Sequence, residues 1–243
     1  MLLAIDIGNT NISFALFHGS KLAGHWDIPA GLYAASRLSA KIRAKNISGA
    51  LICSVVPALT EKLAQDVKRL TGIKPPIIGK DIRVPMKNLY SRPDKLGQDR
   101  LVNAYAAGRI YASPVIVVSC GTAITVDAVS KNLSYLGGFI LPGLRPSLAA
   151  LKAHTALLPK IGLPPGPTAG IPRDTREAIL NGVILGSAGA VDALIRRIRL
   201  ETGKKTVVIG TGGDIDLLKK FSGCIIKADK ELTLKGILLC AQS

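Results

Sequence analysis

The start of the chain alternates between apolar runs and short polar turns, a pattern that predicts antiparallel strands followed by helices. Short turns between extended apolar runs are typical of a β-meander. Apolar positions then recur at the helical period, interrupted once by a buried strand. The predicted elements are strands over 2–8, 12–17, 21–28 and 50–54, and helices over 33–44, from Pro57 onward and over 97–111.

After Pro114 the same pattern restarts. The predicted elements are strands over 115–119, 123–129, 135–141 and 206–210, helices over 144–151 and 175–200, a Gly/Pro-rich loop over 162–172, and an α-β-α tail. When Gly8 is aligned with Gly121, each half has a buried strand, a glycine turn and a β-branched strand. A duplicated unit explains this internal similarity. We therefore predict an α/β fold of two tandem domains, 1–112 and 113–243.

Composition agrees with a buried core and gives no sign of a membrane span or a disulfide framework. Of the 243 residues, 48% are hydrophobic and 4% aromatic, so the core must be mainly aliphatic. Polar residues interrupt every long apolar run, and Asp6 breaks the apolar start that a signal peptide would need. The four cysteines are widely spaced, without a zinc-binding pattern. We expect reduced thiols in a cytoplasmic protein.

The chain is strongly basic, with 32 Lys and Arg against 16 Asp and Glu, a net charge of +16. Such a charge attracts nucleic acids or anionic metabolites. However, the basic residues are spread over the whole length and no nucleic-acid-binding motif accompanies them. We expect no specific nucleic-acid binding.

Two glycine turns carry residue types that suit a polyphosphate. Asp6 ends a predicted strand, and the turn after it holds Gly8, Asn9 and Thr10. Glycine lets a backbone approach an anion, turn amides and side chains donate to phosphate oxygens, and a carboxylate can hold hydrated Mg²⁺. The turn at Gly121-Thr122 could bind the same polyphosphate, and the glycines of the segment 211–213 (Thr-Gly-Gly) could let a nucleotide lie on the backbone. The alternative is a polar hairpin turn with no ligand.

These segments resemble the phosphate and adenosine elements of the acetate and sugar kinase/heat-shock/actin superfamily. Within it, the segment 90–100 (Tyr-Ser-Arg-Pro-Asp-Lys-Leu-Gly-Gln-Asp-Arg) is similar to the substrate motif of type III pantothenate kinases, and 54–57 and 137–143 also fit that family. The resemblance implies two ribonuclease H-like domains with a nucleotide cleft between them. It also implies transfer of the ATP γ-phosphoryl group to pantothenate, the first step of coenzyme A synthesis, by a cytoplasmic homodimer.

Carried over residue by residue, the resemblance assigns a general base, two sets of binding residues and a metal site. Asp99 matches the general base, and Asp6 would organise Mg²⁺ through the phosphates. The expected substrate-binding residues are Tyr90, Gly97, Gln98, Asp99, Arg100 and, from the partner subunit, Thr175. The expected ATP-binding residues are Asp6, Ile7, Gly8, Asn9, Thr10, Asn11, Ile12, Ser13 and Thr122.

One position departs from the family pattern. The family has Asp at the start of its second glycine turn, where it binds a monovalent cation, potassium or ammonium, whereas this chain has Ser119. A neutral hydroxyl does not replace the charge of a carboxylate. We therefore predict weak or absent potassium stimulation.

Structural interpretations stand beside these roles. Asp99 and Arg100 could form an ion pair that caps a helix, Tyr90 could be an ordinary half-buried aromatic residue, and Thr175 could be a helix N-cap. At the level of the whole chain, the alternatives are a non-catalytic transcriptional regulator on the same scaffold and a kinase for another hydroxyl acceptor such as a sugar.

Overall fold

The computed structural model describes residues 1–43, 45–164 and 166–243. Its strands are β1 (Leu2–Ile7), β2 (Asn11–His18), β3 (Lys21–Pro29), β4 (Gly49–Ser54), β5 (Lys87–Asn88), β6 (Val115–Cys120), β7 (Ala123–Val129), β8 (Ser134–Pro142), β9 (Val207–Thr211) and β10 (Lys227–Ala228). Its helices are α1 (Ala35–Ile42), α2 (Pro57–Thr71), α3 (Gln98–Ile110), α4 (Leu144–Ala153), α5 (Thr175–Thr202), α6 (Ile215–Phe221) and α7 (Leu232–Ala241). Ala44, the expected end of the first helix, and Pro165, in the expected loop, lie outside the described residues.

The chain forms two compact units that are not consecutive in sequence. The first comprises residues 1–87, 91–106 and 231–243, and the second comprises 88–90 and 107–230. The sequence predicts two consecutive domains that meet at residue 112, whereas the last segment, with α7, lies in the first unit. The physical reason is that α7 packs against β1, β2 and β4, which the start of the chain supplies.

The first unit contains a four-stranded sheet in the order β3-β2-β1-β4. The expected meander is confirmed: β1 to β3 pair antiparallel, and β4 joins β1 in parallel. Alternate residues such as Leu3, Ile5 and Ile7 enter a core with α1 and α2 on one face. Because successive side chains of a strand point to opposite faces, Ala4 and Asp6 lie on the other face, where α7 packs.

The second unit contains the six-stranded sheet β10-β9-β6-β7-β8-β5. It repeats the pattern of the first: β6 to β8 form an antiparallel meander, and β9 pairs with β6 in parallel. Its core lies between one face of this sheet and helices α4, α5 and α6. The predicted mixed α/β architecture is confirmed.

Helix α5 is long and apolar, with a mean hydropathy of 1.8 over 18 residues, and among the described residues it alone meets the length and composition expected of a membrane span. Core helices of soluble proteins meet the same test. Ala188, Val191, Ile195 and Ile198 follow the helical period and pack in the core of the second unit. This packing accounts for one apolar face of α5, while Leu185 and Leu200 are exposed.

Candidate active site

A row of polar side chains crosses the first sheet beside the glycine turn. In the strand registers Asp6 on β1 pairs with Ser13 on β2, Ser13 pairs with Asp27 on β3, and Asp6 also pairs with Cys53 on β4. Paired residues of neighbouring strands point to the same face. The Ser13 hydroxyl donates to the Asp27 carboxylate at 2.6 Å. The row therefore gathers two carboxylates, a hydroxyl and a thiol on the face opposite the α1–α2 core.

Asp99 adds a third carboxylate to this electrostatic environment. Burial, then the negative charges of Asp99 and Asp27, raise the pKa of Asp6 to about 7. Burial, then the charges of Asp6 and Asp99, raise the pKa of the Cys53 thiol well above its usual value. The first unit thus concentrates negative charge around Asp6, and this charge and burial favour the protonated form of Asp6. A cation at this position would relieve the repulsion.

The turn between β1 and β2 presents backbone and polar side chains outward. The Gly8 N–H donates to the Asn11 carbonyl at 3.0 Å, and Asn9 and Thr10 are exposed. Among the expected ATP-binding residues, Ile7 and Ile12 bury their side chains completely in the core. Of these two residues, only the backbone can therefore serve a ligand.

The start of α3 places the central residues of the expected substrate motif. The Gly97 carbonyl accepts the Arg100 N–H at 3.2 Å, which begins the helix. A Cβ on Gly97 would lie 2.5 Å from Asp99 Oδ1, so glycine is what lets this carboxylate fold back over the backbone. The Gln98 side chain packs in the same way on Gly79, and Arg100 is 7% exposed. Asp99 and Asp6 lie in the same unit and interact electrostatically.

The second glycine turn, in the second unit, also joins two antiparallel strands but is one residue shorter than the first. The Gly121 N–H donates to the Ala123 carbonyl at 3.0 Å, two residues ahead, whereas the Gly8 N–H donates to the Asn11 carbonyl, three residues ahead. Thr122 is exposed, and its carbonyl accepts the Gly143 N–H at 3.0 Å. The end of β8 crosses this turn so closely that a side chain at Gly143 would overlap its backbone.

The remaining expected substrate residues also lie in the second unit. The Tyr90 ring meets the Tyr135 ring edge-on, with centroids 6.2 Å apart. Thr175 is exposed at the first turn of α5. The expectation that Thr175 could cap this helix is wrong: the cap is Asp174, whose carboxylate accepts the Glu177 N–H at 3.0 Å. This leaves the Thr175 hydroxyl free of the capping role.

Ser119 lies in a row of hydroxyl residues on the second sheet. It pairs with Thr125 on β7 and with Thr211 on β9, and the buried Thr211 hydroxyl has no hydrogen-bond partner among the residues that the structure describes. Asp127, two residues further along β7, accepts hydrogen bonds from Thr125 and Tyr135. The row itself offers neutral oxygens and no carboxylate, which does not match the charged cation site of the family pattern.

Sequence reasoning missed Asp27. The alternation of the third strand would place it on one face, but only the pairing register brings it into line with Ser13 and Asp6. A register search across the predicted meander could have found it.

Replacing Asp6 with asparagine is expected to stabilise the protein at alkaline pH in the absence of nucleotide and metal. The pKa of Asp6 rises from 3.8 to about 7 on folding, so the native state holds a proton that the unfolded state loses. Native stability therefore falls as the pH rises between these two values. Since Asp6 keeps some solvent contact, we expect a gain of roughly 1–3 kcal/mol at pH 8 and little gain at pH 4.

Urea unfolding of wild type and Asp6→Asn at both pH values measures this difference. Asp94→Asn, which removes a carboxylate with an exposed side chain (70%), is the matched control. An equal effect of Asp6→Asn at pH 4 and pH 8 would contradict the prediction.

Two kinds of comparison identify the family. The family model described as type III pantothenate kinase matches residues 2–197. The type III pantothenate kinase of Moorella thermoacetica is 36% identical, over 98% of this chain and 97% of the relative. That of Frankia alni is 39% identical, over 98% of each chain.

Solved structures support the fold. A Campylobacter jejuni protein assigned to the Baf family of transcriptional activators superposes with a TM-score of 0.60 at 23% identity, over 99% of this chain and 97% of that one. A ROK family glucokinase from Streptomyces griseus, in complex with glucose and AMPPNP, gives 0.54 at 13% identity, over 100% and 99%. These likenesses show that the fold is shared, while the family model and the sequence relatives go further: the chain belongs to the type III pantothenate kinase family.

Proposed function

We propose that this protein transfers the γ-phosphoryl group of ATP to the primary hydroxyl of pantothenate, which gives 4′-phosphopantothenate and ADP. Family membership supports the reaction, and the placement of Asp99 supports the chemistry. Its carboxylate lies at the first turn of α3 over Gly97, in the electrostatic field of Asp6. A carboxylate held on a rigid helix end is suited to accept a proton from an alcohol.

In this mechanism Asp99 accepts the hydroxyl proton as the pantothenate oxygen forms a bond to the γ-phosphorus and the bond to ADP breaks. Arg100 is the group that we assign to the pantothenate carboxylate or the incoming phosphate, because guanidinium offers paired donors. From the family resemblance we also assign Gly97, Gln98, Tyr90 and the partner subunit's Thr175 to pantothenate binding. Phosphoryl transfer of this kind depends mainly on positioning and charge stabilisation.

For the nucleotide, we assign the turn over 8–13, with Asn9 and Thr10, to the transferred phosphate and Thr122 to the rest of the triphosphate. The residues also fit a magnesium ion. Among the described side chains, no group of three or more His, Cys, Asp or Glu could hold a metal, but Mg²⁺ that arrives on ATP needs only one or two carboxylates. Asp6 supplies one in an environment that favours a cation. When bound, Mg²⁺ would neutralise phosphate charge.

We place the enzyme in the cytoplasm as a homodimer. All four cysteines are free thiols, and Cys53, Cys120 and Cys240 are buried, which suits a reducing compartment. The dimer is proposed on family membership and on the exposed position of Thr175.

An acceptor panel tests the reaction. Purified protein with ATP and Mg²⁺ is offered pantothenate and several sugars, and both ADP release and the phosphorylated product are measured. Turnover confined to pantothenate is expected, whereas turnover confined to a sugar would overturn the proposal. The regulator alternative would replace it if no acceptor is phosphorylated and the protein binds duplex DNA with a steep salt dependence.

We also expect the rate to rise less than twofold, about the scatter of such assays, when sodium is replaced by potassium. The reason is that Ser119 stands where the family pattern has a carboxylate, and its partners across the sheet, Thr125 and Thr211, are also neutral. Restoring a carboxylate with Ser119→Asp should introduce potassium stimulation. Strong stimulation of the wild type, or none in Ser119→Asp, would contradict this interpretation.

A further inference from the structure

The segment that carries Tyr90 follows β5 and contacts Tyr135 of β8. The Leu89 N–H donates to the Tyr135 carbonyl at 2.9 Å, and the Tyr135 ring meets the Tyr90 ring edge-on, with 64° between the planes. The Tyr90 N–H donates to Asn88 Oδ1 at 2.9 Å, which closes the local turn. Both the backbone and the side chain of Tyr135 thus contact the segment 88–90, and all of these residues belong to the second unit.

Tyr135 is in turn fixed by a buried carboxylate. Its hydroxyl donates to Asp127 Oδ1 at 2.7 Å, and the Thr125 hydroxyl donates to Asp127 Oδ2 at 2.9 Å. Tyr135 is fully buried and Asp127 is 1% exposed. A Cβ at Gly138, the β8 partner of Asp127, would lie 2.5 Å from Asp127 Oδ1. Glycine at this position therefore leaves space for the carboxylate.

Packing alone does not require this arrangement. Phenylalanine at 135 with an apolar residue at 127 would avoid a buried carboxylate, whose burial is costly unless it is hydrogen-bonded. The hydrogen bond from Tyr135 to Asp127 fixes the position and orientation of the Tyr135 ring, which packs edge-on with the Tyr90 ring.

We propose that Tyr135 and Asp127 are positioning residues for pantothenate, which act by holding the Tyr90 segment in place. The inference rests on the proposed function, in which Tyr90 contacts pantothenate. It predicts that loss of the Tyr135 hydroxyl weakens use of pantothenate while the phosphoryl-transfer step and the use of ATP stay nearly intact.

Tyr135→Phe is the test, and Tyr111→Phe is its matched control. Tyr111 lies in the same unit and donates to the buried Asp229 carboxylate at 2.6 Å, so its variant loses an equivalent bond away from Tyr90. We expect Tyr135→Phe to raise the KM for pantothenate about three- to tenfold, the effect of one lost hydrogen bond. The kcat of Tyr135→Phe and its KM for ATP should change less than about twofold. In Tyr111→Phe, kcat, the KM for ATP and the KM for pantothenate should all stay within about twofold of the wild type.

A second readout does not depend on turnover. Amide hydrogen exchange of a peptide that covers 88–90 should be faster in Tyr135→Phe and unchanged in Tyr111→Phe, since the Leu89 N–H bonds to residue 135. In a Tyr90→Ala background, Tyr135→Phe should add nothing to the pantothenate KM, because both changes act through the same ring.

The outcomes separate this inference from the proposed function. If the wild type phosphorylates pantothenate but Tyr135→Phe behaves like Tyr111→Phe in kinetics or exchange, the positioning role is overturned and the function stands. Additive effects of Tyr90→Ala and Tyr135→Phe would overturn it too. A wild type that does not phosphorylate pantothenate would overturn the function, and this role with it.

Discussion

Asp99→Asn is expected to lower kcat for pantothenate phosphorylation at least about a thousandfold, the upper range for a lost general base. The amide keeps the size of the side chain, so the approach of residue 99 to Gly97 is preserved. It cannot accept the hydroxyl proton, however. Initial rates at saturating ATP and pantothenate measure the effect, and the KM for ATP should stay within about twofold.

The control for Asp99→Asn is Asp94→Asn, which removes a carboxylate from the same sequence motif at a position whose side chain is 70% exposed. It should keep near wild-type turnover. Asp99→Asn should also lower the pKa of Asp6, because it removes one of the charges that raise it. Persistent turnover in Asp99→Asn, with this pKa change observed, would exclude Asp99 as the base.

Gly212→Ala is expected to lower the free energy of unfolding by roughly 2–5 kcal/mol, among the larger effects of a single substitution. Gly212 has a φ of +95°, which side chains rarely adopt, and its Cβ would lie 2.8 Å from the Cys120 carbonyl carbon and 2.9 Å from its nitrogen. A backbone cannot move aside as a side chain can. The Cys120 carbonyl also accepts the Asp214 N–H at 3.1 Å, so the corner into α6 would be disturbed.

Gly213→Ala gives the comparison for Gly212→Ala. A Cβ at Gly213 would meet no atom within 4 Å, and the residue does not have a positive φ. Urea unfolding of both variants measures the difference, and a loss of stability as large in Gly213→Ala would contradict the explanation. If Gly212→Ala folds, its KM for ATP should rise, since the segment 211–213 is among those that resemble the phosphate and adenosine elements of the superfamily.

The secondary structure was predictable from local patterns because the strand and helix periods depend on residues that are close together in the sequence. The meanders and the glycine turns at Gly8 and Gly121 were found from alternation and turn chemistry. The first helix is shorter at its start than predicted, beginning at Ala35 instead of 33. Its N-cap, Ala34, is extended, and the Tyr33 hydroxyl reaches Asp66 on α2. Such a tertiary contact leaves no signal in the local pattern.

The candidate site was predictable in its motifs but not in its environment. Asp6 and Asp99 were found from their motifs. The contribution of Asp27 depends on strand register, and the hydrogen bond from Tyr135 to Asp127 depends on how β7 and β8 pair. Helix α7 belongs to the first unit because of long-range contacts, which hydrophobic periodicity cannot reveal.

The return of the chain's last segment to the first unit has a consequence for synthesis on the ribosome. The second unit is a nearly continuous stretch and can fold once residue 230 has emerged. The first unit must wait for α7, so the nascent protein carries its Asp6 face uncovered until residues 231–243 have emerged. A stop codon just before Glu231 would therefore damage the beginning of the protein more than its middle.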